Sequence, residues 1–317
     1  MDIDLVVPWV DGNDIEHIKL KNKYKTLLKN KVNNESVIPA RHRDNNELKY
    51  LFRSVEQNAK FIRYIFLVTN GQIPKWLNTN NPKIKLITHS QIMPKDSLPT
   101  FNSGAIEVCI ANIPDLSDTF LYSNDDFFIA KPVTEKDFFT KEGYPIARLK
   151  QNYHPEKKDT KCYNTRLQFT SEVFYSKFNK RMNFFEHHNI DAFYKPDVLK
   201  CIEIFKNEVD TVKNCRFRQP YTISKMIWTF YSLYIGHATL KNKWIYKIPN
   251  SLRCISKILF KLFRDSKMVG YEEQKYILQK NIKLFCINDN EVTTDDDIKR
   301  GIKFLNNLFP NKSSFEI

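Results

Sequence analysis

The chain has 317 residues, 42% of them hydrophobic, with 24 Phe and 15 Tyr, enough for one large core or two modest ones. Its 7 glycines, with no GxGxxG or Walker pattern, argue against a glycine-rich phosphate loop, and its 6 cysteines, with no CxxC pair, exclude a zinc ribbon. A formal net charge of +14 favours an anionic partner such as a nucleotide, a phosphate polymer, nucleic acid or an acidic membrane surface, although a Lys/Asn/Ile compositional bias accounts for much of the lysine.

The amino-terminal segment MDIDLVVPWV is no secretory signal, so reduced cytosolic thiols and a cytoplasmic location are expected, and no window is apolar for long enough to span a bilayer. Asp4 to Val10 reads as a short buried strand, broken by the turn Asp11-Gly12-Asn13-Asp14. His17 to Lys31 is lysine-rich and helical, and Asn33 to Asn46 is loop. In Glu47 to Asn58, Leu48, Leu51, Phe52 and Val55 share one helical face. Asp44 is expected to cap that helix, with Glu47 at the third helical position, as in a capping box. Tyr64 to Val68 is a buried strand closed by Thr69-Asn70-Gly71, and Ile84 to Thr88 is the next. Gly104 to Ile113 is helical and Thr119 to Tyr122 a central strand.

This alternation predicts an α/β fold: a mostly parallel sheet with flanking helices, Rossmann-like, over residues 1–150. Residues 151–270 read as a largely helical, basic region on the acceptor side, with Ile223 to Ile235 a buried helix. Thr239 to Lys267 carries eight Lys and Arg against Asp265 alone, with apolar residues at helical spacing from Leu252 to Phe263. That basic amphipathic helix suits an acidic membrane surface or packing on its own domain. Residues 271–317 give a strand (Lys283 to Ile287), an acidic loop and a final helix, expected to return to the core and complete the site.

In a parallel sheet, ligands gather beyond the carboxyl ends of the strands. There the sequence puts Asp11 after the first strand, Asn70 after the second, His89 after the third and Asn124-Asp125-Asp126 after the fourth. Carboxylate and amide oxygens suit a hard divalent cation, Mg²⁺ or Mn²⁺, held against a pyrophosphate. Asn124, Asp125 and Asp126 supply such oxygens, though alternate strand residues point to opposite faces and not all three reach one metal, and Asp289, leaving a second strand, is expected to complete the shell. Glu107, one turn after Ser103, either orients a sugar hydroxyl or base or simply makes a salt bridge. Arg41, Arg43 and Arg53 bring positive charge to phosphate around Asp44 and Glu47. His187-His188 offers a base near neutrality, and Arg216 and Arg218 offer guanidinium donors; both pairs also fit structural roles.

Four stretches together resemble the Stealth family of hexose-1-phosphate transferases, which includes bacterial capsular-polysaccharide phosphotransferases and the catalytic subunit of the animal enzyme that starts the mannose-6-phosphate tag. They are DIDLVVPWVDGND (Asp2 to Asp14); Arg41 to Phe128 with RHRDNNELKYLFRSVE, IFLVTNGQIPKWL, LPTFNSGAIE and FLYSNDD; HHNIDAFYKPDVL (His187 to Leu199); and KLFCINDN…FLNNLFPNKSSFE. The resemblance implies a GT-A-like nucleotide-sugar core, a UDP-sugar donor, a divalent cation and release of UMP. It implies Glu107, Asp126, His188 and Arg218 as the catalytic group. Asp4, Trp9 and Asp11, with Arg41, Asp44, Asn70 and Asn102, are the implied donor-binding residues. The third stretch has His188-Asn189-Ile190 where the animal protein has His-Met-Pro. The implied acceptor is a polysaccharide or glycan, in some cases lipid-linked, and no nucleic acid is expected; the basic helix read from the residues leaves peripheral contact with the anionic inner membrane face open beside packing on its own domain. The rival reading is a metal-dependent glycosyltransferase of the same sheet type, which releases UDP.

Overall fold

The computed structural model describes residues 1–29, 32–38, 43–151, 161–186, 189–241, 282–287 and 293–317. Its first half runs β1 (Ile3–Pro8), α1 (Ile15–Leu27), α2 (Glu47–Asn58), β2 (Ile62–Thr69), β3 (Ile84–Thr88), α3 (His89–Ile92), α4 (Ser103–Glu107), β4 (Thr119–Tyr122) and β5 (Phe127–Ile129). The second half adds β6 (Ile146–Ala147), β7 (Leu149–Gln151), α5 (Cys162–Phe178), β8 (Phe184–Glu186), β9 (Asp191–Tyr194), α6 (Lys195–Ile204), α7 (Lys206–Asn214), α8 (Met226–Tyr234), β10 (Thr239–Leu240), β11 (Leu284–Cys286) and α9 (Asp295–Leu308).

The main sheet has the order β3-β2-β1-β4-β9. The first four strands are parallel and β9 is antiparallel to β4. Side chains of a strand alternate between faces, and β1 shows it. Leu5 and Val7 enter one apolar cluster with Leu51, Phe128 and Phe304, while Val6 enters the other with Phe120, Trp228 and Phe230. Thus α2, α9 and the β5–β11 pair cover one face and α4 to α8 cover the other. This is the expected α/β layering, with the carboxyl edge left open for a site.

Two local expectations are corrected. The capping box before α2 is absent: Asn46 is the capping residue, in the left-handed region at φ 65, and the helix starts at Glu47. Asp44 Oδ1 instead accepts the Asn46 N–H (2.8 Å), and Glu47 accepts the N–H (2.6 Å) and the side-chain amide (2.8 Å) of Asn45. The helix expected over Gly104 to Ile113 stops at Glu107 and closes through a 3₁₀ turn at Ile110–Asn112, which lets the Asn112 amide donate to Ile92 O at 3.0 Å. Thr239 and Leu240, at the start of the basic segment, form a strand paired with β6, and the basic helix expected from Leu252 to Phe263 lies outside the described residues.

Candidate functional site

Four elements converge where β1 and β4 end. Ser123 N donates to Val6 O (3.0 Å) and Trp9 N to Val68 O (2.9 Å), so the segments after β1, β2 and β4 leave the sheet side by side. The Asp11 N–H donates to Gln72 Oε1 (2.9 Å) while Gln72 Nε2 donates back to Asp11 O (3.1 Å), locking the β1 exit to the β2 exit. Asp44, beside the Trp9 indole, faces Asp11, and Asp125 feels Asp126, Glu47 and Asp44.

Five carboxylates thus share one rim. Burial first, and the neighbouring Asp126, Glu47 and Asp44 charges next, push the Asp125 carboxyl well above the usual range. Burial, with Asp44 adding to it, raises Glu47 to about 6. Burial and the Asp11 charge raise Asp44. Carboxylates that raise one another are relieved by a divalent cation, and their oxygens suit Mg²⁺ or Mn²⁺. Among the described residues no three His, Cys, Asp or Glu side chains converge closely enough to hold a metal by themselves. Asp289, the expected second ligand, lies outside the described residues; Ile287, two residues before it, donates its N–H to Asp126 O (3.0 Å).

Across the rim, α4 presents Ser103 and Glu107 four residues apart, hence on one helical face. Glu107 is almost fully buried, and Tyr122 Oη lies 3.3 Å from its Oε1 and 3.1 Å from Asn124 Oδ1. Arg218 Nη2 donates to Ser103 Oγ. The Arg218 segment is fixed by Phe101 N→Arg216 O (2.8 Å), Arg216 Nη1→Pro99 O (2.8 Å) and the Phe101–Phe217 ring stack (5.2 Å). A Cβ at Gly104 would meet Arg166 Nη2 at 2.6 Å, so a larger residue there would have to push that guanidinium off the Ile223 carbonyl it now holds at 2.9 Å. Lys225 Nζ pairs with Asp191 and stands 5.1 Å from the Tyr122 ring centre.

The structure therefore brings Glu107, Asp126 and Arg218 to one edge through Tyr122, Asn124 and Ser103. Trp9, Asp11 and Asp44 gather there too. Asn70 is exposed at the β2 exit, its amide 3.4 Å from His17 Nδ1. Arg41, His187 and His188 lie outside the described residues. Two expected donor-binding residues are corrected. Asp4 is fully buried at the amino end of β1, paired with Arg63 (2.6 Å) and accepting from Ser117 N (2.8 Å) and Tyr64 N (3.2 Å), far from the carboxyl edge. Asn102 is committed to structure: its Oδ1 accepts the Gly104 N–H (3.1 Å) and its Nδ2 donates to Cys215 O (2.9 Å), so it caps α4. Sequence reasoning missed Tyr122 and Lys225. The tyrosine reads as an ordinary strand aromatic, and its placement between Glu107 and Asn124 is a tertiary fact.

Fold and site together define the class: an α/β protein with a carboxylate and guanidinium site at the open edge of a parallel sheet. The models for Stealth protein conserved region 1 and conserved region 2 match residues 1–29 and 41–147. The exopolysaccharide phosphotransferase cps2G of Lactiplantibacillus plantarum is 46% identical over 48% of this chain and 43% of its own length. The capsular polysaccharide phosphotransferase eps5J of Streptococcus thermophilus is 39% identical over 59% of this chain and 79% of its own. SacB of Neisseria meningitidis serogroup A, a protein of the same description, is 31% identical over 99% of this chain and 57% of its own. The chain belongs to the Stealth family, and it spans about half the length of cps2G and SacB. The crystal structure of the galactosyltransferase LgtC covers 98% of this chain and 96% of its own at 11% identity, with a TM-score of 0.44.

Proposed function

We propose that this chain transfers a hexose-1-phosphate, of the N-acetylhexosamine class, from a UDP-sugar to a sugar hydroxyl during capsular or cell-surface polysaccharide synthesis. The observation that carries this reading is the rim of mutually repelling carboxylates beside Asn124, which Tyr122 links to Glu107, with Arg218 bound to Ser103 on the Glu107 face of α4. In the reaction, the acceptor oxygen attacks the β-phosphorus and the bond between the two phosphates breaks. The acceptor proton passes to a base and UMP leaves. His188 is the base this reading assigns. Glu107, held by the Tyr122 hydroxyl, orients the attacking hydroxyl or the donor sugar. Arg218 meets charge building on the transferred phosphoryl group with its planar donors. Asp126, with Asp125 beside it and with Asp289 as a further ligand, would hold the divalent cation, which would supply charge neutralisation at the pyrophosphate. Trp9, Asp11 and Asn70 line the donor side.

The assay is incubation with a panel of UDP-sugars, an acceptor glycan and Mg²⁺. UMP release and a phosphodiester ³¹P signal are expected, and both fall at least about 100-fold in Asp126→Asn and Glu107→Gln. UDP release instead identifies glycosyl transfer and overturns the reading.

A further inference from the structure

The segment from Arg218 to Lys225 carries a side chain that the site does not use. Arg218 ties its start to Ser103, and Lys225 ties its end to Asp191 of β9. The turn between them is fixed by three further bonds. Thr222 Oγ1 donates to Gln219 O (2.9 Å), Arg166 Nη2 of α5 donates to Ile223 O (2.9 Å), and Ser224 N donates to Thr170 Oγ1, also of α5 (2.9 Å). Thr222, Ile223 and Ser224 are buried, yet Tyr221 beside them is 70% exposed. Its ring meets that of Phe169 with centres 6.2 Å apart and planes at 80°. In such a pair one ring offers its edge and the other a single face. Whichever way round, at least one face of the Tyr221 ring stays open. A lone aromatic on a loose surface loop needs no explanation. Tyr221 stands on a turn tied down on both sides, within about 11 Å of Arg218 by the reach of three extended residues.

The ring's chemistry and its place select the occupant. A pyranose offers a face of weakly positive C–H groups to the negative face of an aromatic ring and keeps its hydroxyls in water around the edge. Tyrosine suits this contact, because it gives a large amphipathic surface with little side-chain freedom to lose. The donor-side residues Trp9, Asp11 and Asn70 follow β1 and β2, whereas the Tyr221 turn ends on β9, beyond β4 in the sheet. A sugar at Tyr221 is thus on the other side of the transferred phosphoryl group from the nucleotide. We propose that Tyr221 is a stacking platform for a sugar ring of the acceptor glycan, raising affinity for the acceptor without touching the reacting atoms. This rests on the sugar-transfer reading above and names the acceptor side of the same site.

The test uses the whole chain, saturating UDP-sugar and Mg²⁺, and a ladder of N-acetylhexosamine oligosaccharides of increasing length as acceptors. Nucleotide release, whether UMP or UDP, is followed against acceptor concentration. Tyr221→Ala should raise acceptor KM about fivefold to tenfold, the scale of one aromatic contact, with kcat and donor KM at parent values. Tyr221→Trp should restore the parent KM, and Tyr221→Leu, apolar but without a π face, should not. The side chain is exposed, so the melting temperatures of all three should match the parent. Saturation-transfer NMR of the same ladder without donor needs no turnover: pyranose C–H signals seen with the parent should fade with Tyr221→Ala. An unchanged acceptor KM, a rise in donor KM instead, full rescue by leucine, or ladder signals equal or absent in both proteins overturns the proposal. UDP in place of UMP would overturn phosphotransfer and leave the acceptor result standing, so the two readings fail separately.

Discussion

Tyr122 has a single proton and two acceptors within reach, Glu107 Oε1 and Asn124 Oδ1. It touches both the α4 side of the site, at Glu107, and the acidic side, at Asn124, and its ring is buried in the core beneath Lys225. Tyr122→Phe keeps the ring and removes the hydroxyl. We expect kcat for UMP release to fall about tenfold, the scale of one hydrogen bond to a charged group, with donor KM changed less than about twofold. A wild-type kcat would show that Glu107 needs no such support. Glu47 carries a different consequence. Its value in the folded protein is about 6 against an ordinary 4.5, chiefly from burial, so the folded state binds its proton more tightly than the unfolded chain. For a carboxyl raised in this way the penalty is absent below about 4.5 and grows as pH rises through about 6, to a ceiling of about 2 kcal/mol. Glu47→Gln, melted in chelator, should therefore exceed the parent at pH 8 and match it at pH 4. Matching curves at both pH values would count against a buried, ionised Glu47.

At the scale of elements, α2 shows how a legible helix hides an illegible partner. Its apolar stripe is plain in the sequence because Leu48, Leu51, Phe52 and Val55 repeat at helical spacing. Nothing local says that Arg53 reaches the last turn of the chain. There its guanidinium grips both oxygens of Glu316, at 2.8 and 2.7 Å, and the Phe309 carbonyl at 3.0 Å. Both side chains are largely buried, so removing one charge leaves the other uncompensated. Arg53→Met should cost about 3–5 kcal/mol in a denaturant titration, far above the effect of an exposed pair. The same limit explains the other surprises. Strands Ile84–Thr88 and Thr119–Tyr122 were readable because each is a run of apolar and β-branched residues between turn formers. The bounds of α2, Glu47 to Asn58, were read correctly, but its cap was not: Asn46 in the left-handed region takes the place expected of Asp44, a backbone fact that the helical periodicity does not carry. β9 was missed because four residues, DAFY, carry too little pattern to separate from loop.

For the whole molecule, what the sequence could reveal of the site depended on strand direction. Residues at strand exits had to lie at one edge once the sheet was parallel, and Trp9, Asp11, Asn70 and Asp126 do. Asp4 failed because it sits five residues before Trp9 on an extended strand, roughly 16 Å toward the other edge. The link between Glu107 and Arg218 was not legible from periodicity at all. It joins residues more than a hundred positions apart, and only the likeness to the Stealth family put them together. The positive charge is likewise uneven. α1 concentrates lysine at the same edge where the carboxylates gather, so the open end of the sheet holds both signs within one element's distance.

The fifth strand has a further consequence. β9 runs against β4, and its first residue, Asp191, lies opposite the last residue of β4, Tyr122. The chain therefore leaves this edge after residue 122 and comes back to it at 191. The excursion in between begins and ends at one fixed pairing, so its length has no bearing on where its ends meet. Closing a longer loop costs only a slowly growing entropy. A chain of this design can lengthen or exchange what lies between its acidic tip and its returning strand, and so vary what it reaches toward, while the distance between the two sides of its chemistry stays the same.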